Sequence, residues 1–374
     1  MKKKSLFLAI VLILSFALVA CGGGNSPNNA NNAGNNGNNA EANNNAEGAD
    51  EGTGEGGQYT EKVGFVTDEG GVNDQSFNQG VWEGLQKAKD DFGTEVSYVE
   101  SHQADEYSPN METLLDDDNA VIVAAGFKLG DAILEKANNN PDVNFAIVDM
   151  AYDECPDNLV GILFKQEQPS FLVGYIAGLT TETGKVGFVG GQEGNIIWAF
   201  DYGYEAGVQY AAKELGKEIE VVKQYVGNFS DAAKGKSIAS TMYNGGCDVV
   251  FHAAGGAGDG VIEAAKEADK WVIGVDRDQN DMAPDNVLTS AMKRADVAVY
   301  NVVKDLASGK EFPGGSTIVY GLENDGAVDI APTSDKNVKP EILEKIDGLK
   351  EKIINEEIVV PVNEETYKEF AETL

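Results

Sequence analysis

Short apolar runs rich in Val, Ile and Phe alternate with longer amphipathic segments from Lys62 onward. The short β-branched runs are typical of buried strands, and the longer segments have the period of helices. This alternation predicts a mostly parallel sheet with right-handed crossovers. In the first half, the predicted strands are 62–66, 95–99, 120–124 and 144–148, with a shorter extended segment near 159–163, and the predicted helices are 74–92, 107–117 and 130–139.

A helix predicted from about Gln168 to Thr183 leads into a second series of the same kind. The stretches KVGFVT near residue 62 and KVGFVG near residue 185 open the two halves, which indicates one plan used twice. In the second half, the predicted strands are 185–190, 219–226, 247–253, 271–275, 286–290 and 316–320, and the predicted helices are 196–215, 231–243, 258–269, 294–308 and 338–355.

The fold class that follows is α/β, with two doubly wound parallel-sheet lobes around a cleft. The tail must be shared, so we expect the chain to cross a three-stranded hinge between the lobes. The expected first lobe is 60–166 with about 291–318, and the second is 167–290 with about 319–374. A pair of independent Rossmann domains is the structural alternative.

The first 21 residues are typical of a targeting segment and are not expected to belong to the fold. Three lysines precede an apolar run at 6–19, which is short for a membrane span. The run ends in Leu-Val-Ala-Cys, the form of a lipobox, so residues 1–21 are predicted to be a lipoprotein signal peptide with lipid (diacylglycerol and palmitate-type acyl chains) on Cys21. An ordinary signal peptide with a chance cysteine and an uncleaved anchor are the alternatives.

Residues 22–59 are rich in Asn, Gly, Ala and Glu, and they contain no Lys or Arg. Such a composition cannot bury a core, so this tract is predicted to be a disordered, flexible tether. The expected location is the extracytoplasmic face of the cell membrane, with lipid as the sole membrane contact. The long spacer favours a Gram-positive cell surface.

Composition limits the classes of partner and cofactor. The net charge of −34 argues against nucleic acid, because phosphate backbones are bound through Lys and Arg. His102 and His252 are the sole histidines, which leaves little material for a zinc site, and no metal is predicted. Cys155 and Cys247 are predicted to be free thiols, with a disulfide between them as the alternative.

Ligand contacts are expected just after the carboxyl ends of the strands. After the first strand, Asp68 is a candidate hydrogen-bond acceptor, and Phe77 is a candidate stacking surface or a core residue. Asn73 or its neighbour Asp74 is expected to cap the next helix. Asp149 stands at the tip of NFAIVD, where a carboxylate can accept bonds from two sugar hydroxyls or serve as a helix-capping or loop residue.

The second half repeats this arrangement. Asp276 ends WVIGVD, in a position equivalent to the strand-tip aspartate of the first half. A glycine-rich turn containing Gly256 lets backbone amides approach a ligand or serves the turn alone. Lys293 is a candidate donor to a ribose hydroxyl, a candidate partner that orients a nearby Asp, or an exposed surface lysine. Phe200 and Phe229, with Trp198, are candidates for a second stacking surface, at least one of them being core.

Phosphate-binding motifs are absent from the sequence. Gly256-Ala257-Gly258 is followed by Val261 where a dinucleotide fingerprint needs glycine, and Gly235-Lys236 has Ser230 where a Walker A motif needs one. No HExxH, GxSxG or Cys/His pair supports an enzyme. The sequence therefore predicts a binding protein with no cofactor and a neutral ligand without phosphates.

The chain resembles the basic membrane protein family of bacterial lipoproteins, which includes purine-nucleoside receptors of transport systems. The resemblance implies a type I periplasmic-binding-protein fold with a nucleoside between the lobes. It also implies that Asp68, Phe77, Asp149, Gly256, Asp276 and Lys293 are ligand contacts, with Phe229, then Phe200, as the opposite stacking ring and Asn73 as an additional contact. The stretches that carry it are DEGGVNDQSFNQG, GYEAG, AAGGAGDGVIEAAKE, GVDRDQ, TSAMKR and LENDGAV.

Three functional hypotheses follow. The first is a lipid-anchored substrate-binding protein of an ABC importer, with permease and ATPase subunits as partners and a nucleoside, in particular a purine nucleoside, as ligand. Another small polar ligand, such as a sugar or a riboflavin-like molecule, is its alternative. The second is an enzyme that hydrolyses nucleosides with paired carboxylates. The third is a surface lipoprotein that senses a ligand and signals through a partner.

Overall fold

The computed structural model describes residues 58–324 and 326–374. The predicted signal peptide, Cys21 and residues 22–57 of the predicted tether lie outside the described residues. Tyr59, the last residue of that predicted tether, is half-buried against the core, and its amide donates to the Phe92 carbonyl at 3.0 Å. The folded part therefore begins at or before Tyr59.

The first lobe is built on a six-stranded parallel sheet with helices on both faces. Its strands are β1 (Lys62–Val66), β2 (Glu95–Val99), β3 (Val121–Ala125), β4 (Asn144–Val148), β5 (Leu159–Phe164) and β11 (Ser316–Tyr320). Its helices are α1 (Phe77–Phe92), α2 (Tyr107–Asp116), α3 (Gly130–Asn139) and α8 (Ala295–Ala307).

The second lobe repeats the plan with a second six-stranded sheet. Its strands are β6 (Lys185–Gly190), β7 (Glu220–Tyr225), β8 (Val249–Ala253), β9 (Trp271–Asp276), β10 (Val287–Lys293) and β12 (Val328–Ile330). Its helices are α4 (Glu167–Thr180), α5 (Asn195–Leu215), α6 (Ala232–Asn244), α7 (Gly258–Ala268), α9 (Pro340–Ile354) and α10 (Glu364–Thr373). None of the described helices is both long enough and apolar enough to span a membrane.

Strand order locates the ligand-binding edge of each sheet. The orders are β11-β5-β4-β3-β1-β2 and β12-β10-β9-β8-β6-β7, so the direction of winding reverses between β1 and β3 and between β6 and β8. In doubly wound sheets, ligands bind beyond the carboxyl ends of the strands at this reversal. The loops after these four strands are therefore the ones expected to line a site.

The burial of each strand explains its pattern of apolar and polar residues. The central strand β3 is buried at all five positions, whereas every position of the edge strand β2 is exposed or half-buried. Central parallel strands are covered by helices on both faces, which is why they are apolar throughout.

The helices α4 and α5 pack backbone against backbone. A Cβ added at Gly207 would collide with the Phe171 carbonyl oxygen, and one at Gly174 would collide with the Tyr204 carbonyl oxygen. Glycine at these two positions therefore sets the distance between the helices.

The chain passes between the lobes three times, after β5, after β10 and after β11. The α/β architecture and its three-stranded hinge are those predicted from the sequence. The lobe boundaries differ by a few residues, because β10 stays paired with β9 as far as Met292 opposite Asp276. Residues 291–293 therefore belong to the second sheet, and Val319 and Tyr320 belong to the first.

Three further differences concern one helix bound and two additional elements. Helix α1 begins at Phe77 instead of residue 74, because Gln75 is left-handed with φ 54° and Ser76, with φ −147° and ψ −120°, is not helical. The three-residue β12, antiparallel to β10, and the terminal helix α10 were not predicted.

Candidate functional site

Loops from both lobes line a cavity between the two sheets, with about 500 Å³ of space between protein atoms that includes its opening to solvent. The loops are those at the winding reversals and the loop after β7, together with the tips of β4, β9 and β10. The lining residues are Asp68, Asp74, Phe77, Asn78, Gly126, Phe127, Asp149, Ile196, Ile197, Phe200, Phe229, Ala253, Gly255, Val275, Asp276 and Lys293.

Asp149 and Asp276 occupy equivalent positions in the two lobes. Each stands at the carboxyl end of a buried strand, is less than a tenth exposed and has a left-handed backbone, with φ of 70° and 65°. Aspartate adopts this conformation more readily than most residues. The sharp turn at each strand tip places both carboxyl groups in the cavity wall.

Lys293 connects the two lobes at the cavity. It is 3% exposed, and its Nζ lies 2.5 Å from Asp149 Oδ2. The same Nζ lies 4.6 Å from the centroid of the Phe77 ring and 5.8 Å from that of Phe200. The second oxygen of Asp149, Oδ1, is buried and has no hydrogen-bond partner among the described residues. The wall therefore offers a free acceptor beside a fixed ammonium group and two aromatic rings.

Asp74 and Asp68 organise the loop before α1. Asp74 accepts the backbone amides of Ser76, Asn78 and Gln79 at 2.9–3.0 Å, so it is the residue that caps the helix. Asp68 Oδ1 accepts from the Gly70 amide at 2.9 Å and from Asn78 Nδ2 at 2.8 Å. These bonds fix the loop that carries Phe77.

The cavity has an excess of negative groups, since Asp68, Asp74, Asp149 and Asp276 face the single ammonium group of Lys293. Burial raises the pKa of Asp68 to about 7, although the bonds from Gly70 and Asn78 oppose it. Burial also raises the pKa of Asp276 to about 6, against the lowering effect of Lys293. Such a lining attracts neutral or cationic molecules that donate hydrogen bonds, and it repels anions.

Aromatic rings from both lobes meet at another side of the cavity. The Phe127 and Phe229 centroids are 6.4 Å apart, edge to face, and Lys128 Nζ lies 5.1 Å from the Phe229 centroid. Lys128 also pairs with Glu69. Burial raises the pKa of Glu69, but the hydrogen bond and charge of Lys128 act together with a backbone amide and the Tyr107 hydroxyl to outweigh burial, so the net pKa is lowered. This cluster of Phe127, Lys128 and Phe229 joins the lobes through apolar and cation–π contacts.

The structure brings most of the predicted contact residues together. Gly256 lies outside the lining, and its neighbour Gly255 takes that place. Asn73 is exposed and Trp198 is half-buried, and both also lie outside the lining. Phe200 is 2% exposed and packs in the core, yet it still forms part of the wall. The predicted residues that line the cavity are Asp68, Phe77, Asp149, Phe200, Phe229, Asp276 and Lys293.

Sequence reasoning missed Phe127, Ile196 and Ile197 in the lining. Phe127 follows β3 at the winding reversal, so the rule that located Asp68 would have found it. Within residues 58–324 and 326–374, no group of three or more His, Cys, Asp or Glu side chains is placed to hold a metal ion. The thiols of Cys155 and Cys247 are free, Cys155 in the first lobe and Cys247 in the second.

Known proteins are similar to this chain in sequence. Residues 61–364 match the family model described as ABC transporter substrate-binding protein PnrA-like. The chain is 45% identical over 320 residues to the CD4+ T-cell-stimulating antigen of Listeria monocytogenes, covering 80% of this chain and 87% of that protein. It is 41% identical over 323 residues to Basic membrane protein A of Borreliella burgdorferi, covering 85% and 93%.

A solved structure agrees with the fold. The ABC transporter solute-binding protein from Aeropyrum pernix K1 superposes with a TM-score of 0.75 at 28% identity, covering 83% of this chain and 96% of that chain.

Proposed function

This chain belongs to the family of PnrA-like ABC transporter substrate-binding proteins, and on that premise we propose that its cleft binds a nucleoside, preferably a purine nucleoside. The observation that carries the proposal is a single cavity in which aromatic rings stand beside strand-tip carboxyl groups and one buried lysine. The residues proposed to bind the ligand are the predicted residues that line this cavity and one further residue, Phe127. The predicted ones are Asp68, Phe77, Asp149, Phe200, Phe229, Asp276 and Lys293.

The charge of the lining favours a nucleoside over a nucleotide. Four carboxyl groups and one ammonium group face the cavity, so a phosphate would meet net repulsion. A ribose instead offers hydroxyl donors. The unpartnered Oδ1 of Asp149 is a suitable acceptor for one of them, because a buried acceptor left without a partner is costly.

The aromatic residues favour a flat base. Phe77 comes from the first lobe, and Phe200 and Phe229 come from the second, so a planar ring can contact aromatic surface from both sides of the cleft. Asp68 and Asn78, which are hydrogen-bonded to each other, lie in the same wall and provide polar groups for the edge of a base. A purine fills such a space with more apolar contact than a pyrimidine does.

Isothermal titration of the full-length chain in detergent tests the proposal. The ligands are guanosine, inosine, adenosine, uridine, guanosine monophosphate, ribose and riboflavin. We expect saturable 1:1 binding of purine nucleosides, weaker binding of uridine and no heat from the monophosphate. Binding of ribose or riboflavin alone would move the protein to its alternative ligand classes. If no nucleoside gives a heat of binding, the nucleoside assignment is rejected, while the family assignment is unaffected.

We further propose that lipid on Cys21 anchors the protein to the extracytoplasmic face of the membrane, where the cleft delivers its ligand to a permease with its ATPase. The lipobox sequence supports the anchor. Metabolic labelling with a fatty-acid analogue should mark the wild type and leave Cys21→Ser unlabelled. A label that persists in Cys21→Ser would reject this site. Loss of nucleoside uptake on deleting the gene would favour import over a sensing role.

A further inference from the structure

Gln279 joins the two lobes without lining the cavity. It follows β9 in the second lobe and is 1% exposed. Its Nε2 donates to the backbone carbonyl of Gln75, in the loop before α1 of the first lobe, at 3.0 Å. A buried hydrogen bond between two lobes can form only while the cleft is closed.

The orientation of the Gln279 amide is fixed by its neighbours. Its Oε1 accepts the Val275 backbone amide at 3.0 Å, and a flipped amide would set two donors against each other there. Oε1 also lies 3.1 Å from His252 Nε2, so that nitrogen must carry the proton. His252 Nδ1, in turn, has no partner among the described residues. In this orientation the Gln279 NH₂ group donates to the other lobe, at the Gln75 carbonyl.

The carbonyl that Gln279 holds belongs to a strained part of the first lobe. Gln75 has φ 54°, which is uncommon for a residue with a side chain. The next residue, Ser76, donates its hydroxyl to Asp276 Oδ2, and the following residue, Phe77, lines the cavity. Fixing the Gln75 carbonyl therefore fixes the backbone that presents Phe77 to the cavity and the Ser76 hydroxyl to Asp276.

We propose that Gln279 is a positioning residue for ligand binding: its amide holds the Gln75 carbonyl in the closed cleft and so aligns Phe77 with Asp276 around the ligand. His252 and the Val275 amide hold Gln279 in the donating orientation. Closure of the cleft by this bond slows release of the ligand and leaves its entry unaffected. The kinetic test below rests on the proposed nucleoside function, and the exchange test does not.

The main variant is Gln279→Glu in the full-length chain. When ionised, the substituted carboxylate keeps the acceptor for Val275 and loses the donor to Gln75. Gln209→Glu is the matched control, because Gln209 Nε2 makes the same kind of bond, to the Ile219 carbonyl at 3.0 Å, within one lobe. Gln279→Met, which is uncharged, serves if the buried carboxylate prevents folding.

Stopped-flow measurements with guanosine give the first readout. At pH 8 we expect the dissociation rate of Gln279→Glu to rise about 10-fold or more, with an association rate within about twofold of wild type. At pH 5.5 the protonated acid can donate to Gln75 again, so the rate should fall back toward that of wild type. The titratable groups around this position are His252, Asp276, Asp278 and Asp74, and wild type measured at each pH accounts for them. An unchanged rate in Gln279→Glu, or an equal rise in Gln209→Glu, overturns the proposal.

Hydrogen exchange of the ligand-free proteins gives the second readout. Backbone amides of residues 76–80 should exchange faster in Gln279→Glu and Gln279→Met than in wild type and Gln209→Glu. If wild type binds no nucleoside, the proposed function fails, and this comparison alone tests the positioning role of Gln279. Equal exchange in all four proteins would then overturn the positioning role.

Discussion

The ammonium group of Lys293, at the end of β10, lies 2.5 Å from a carboxylate oxygen of Asp149, at the tip of β4. The two residues are 144 positions apart in sequence, belong to different lobes and are both buried. Removing one member of a buried ion pair leaves the other charge uncompensated, which costs about 3–5 kcal/mol. This pair therefore links the geometry of the cavity to the closed arrangement of the lobes.

Asp149→Asn should raise the Kd for guanosine by about 100-fold or more, because Lys293 loses its partner and the ligand loses an acceptor. Lys293→Met should have a similar effect. The double variant should lose less than the sum of the two, since neither charge is left alone. Titration calorimetry measures all three, and Glu364→Gln, in an exposed pair with Lys368, is the control. Strictly additive losses would show that the pair is not coupled.

Phe77→Ala should weaken purine nucleosides by about 10- to 100-fold, because the base loses one aromatic wall. The loss for uridine should be smaller, since a pyrimidine has less surface to stack. Phe312→Ala, which removes a half-buried ring of the first lobe outside the cavity, is the matched control. Competition binding with a labelled nucleoside gives both affinities. An equal loss for both bases would argue against stacking at Phe77.

Asp68→Asn should stabilise the ligand-free protein at pH 8 by on the order of 2 kcal/mol. Burial raises the pKa of Asp68 to about 7 from an ordinary value of 3.8. The folded protein therefore binds more protons than the unfolded chain between about pH 4 and 7, and the free energy of unfolding from this group falls as pH rises through that window. The asparagine keeps the acceptor for Gly70 and Asn78 without the charge.

Urea unfolding of wild type and Asp68→Asn at pH 4, 6 and 8 checks this sign. The difference between the two proteins should be near zero at pH 4 and should grow toward pH 8. Asp116→Asn, at an exposed position, should show no such trend. A difference that shrinks with rising pH would mean that Asp68 is stabilised as the anion.

Gly207→Ala should lower the free energy of unfolding by about 1–3 kcal/mol, because its methyl group would collide with the Phe171 carbonyl at the α4–α5 contact. Gly348→Ala is the opposite control. It lies in α9 with nothing within 4 Å of an added Cβ, so alanine should raise stability by up to about 1 kcal/mol. Thermal unfolding separates the two. Similar shifts in both variants would contradict the close helix contact.

The sequence pattern was sufficient to predict the architecture, because the helix period and the short apolar strand runs are both local signals. Periodicity located the long helices and buried strands, and the doubly wound order then placed Asp149 and Asp276 at strand tips. Helix α10 also has a local signal, the capping box of Asn363 and Thr366. Strand β12 had none, because three residues are too few to show alternation.

The parts of the site that escaped prediction depend on contacts between the lobes. Nothing near Gln279 or His252 in sequence indicates that one holds the other toward Gln75, 204 residues away from Gln279. The sequence allowed Lys293 to pair with an Asp, but it did not indicate that the partner is Asp149 in the other lobe, and this pairing accounts for the burial of a residue type that is usually exposed. Such pairings appear only when both sheets are placed together.

Because the chain returns to the first lobe late, that lobe is discontinuous, and its completion is delayed during synthesis. The core beneath α1 includes Val299 and Val303 of α8, and the sheet ends with β11, so a ribosome must translate past residue 320 before this lobe can close. The side of α1 that contacts α8 stays uncovered until α8 has been translated. Nascent chains of this protein are accordingly expected to need a chaperone or rapid passage to their destination more than chains with contiguous lobes do.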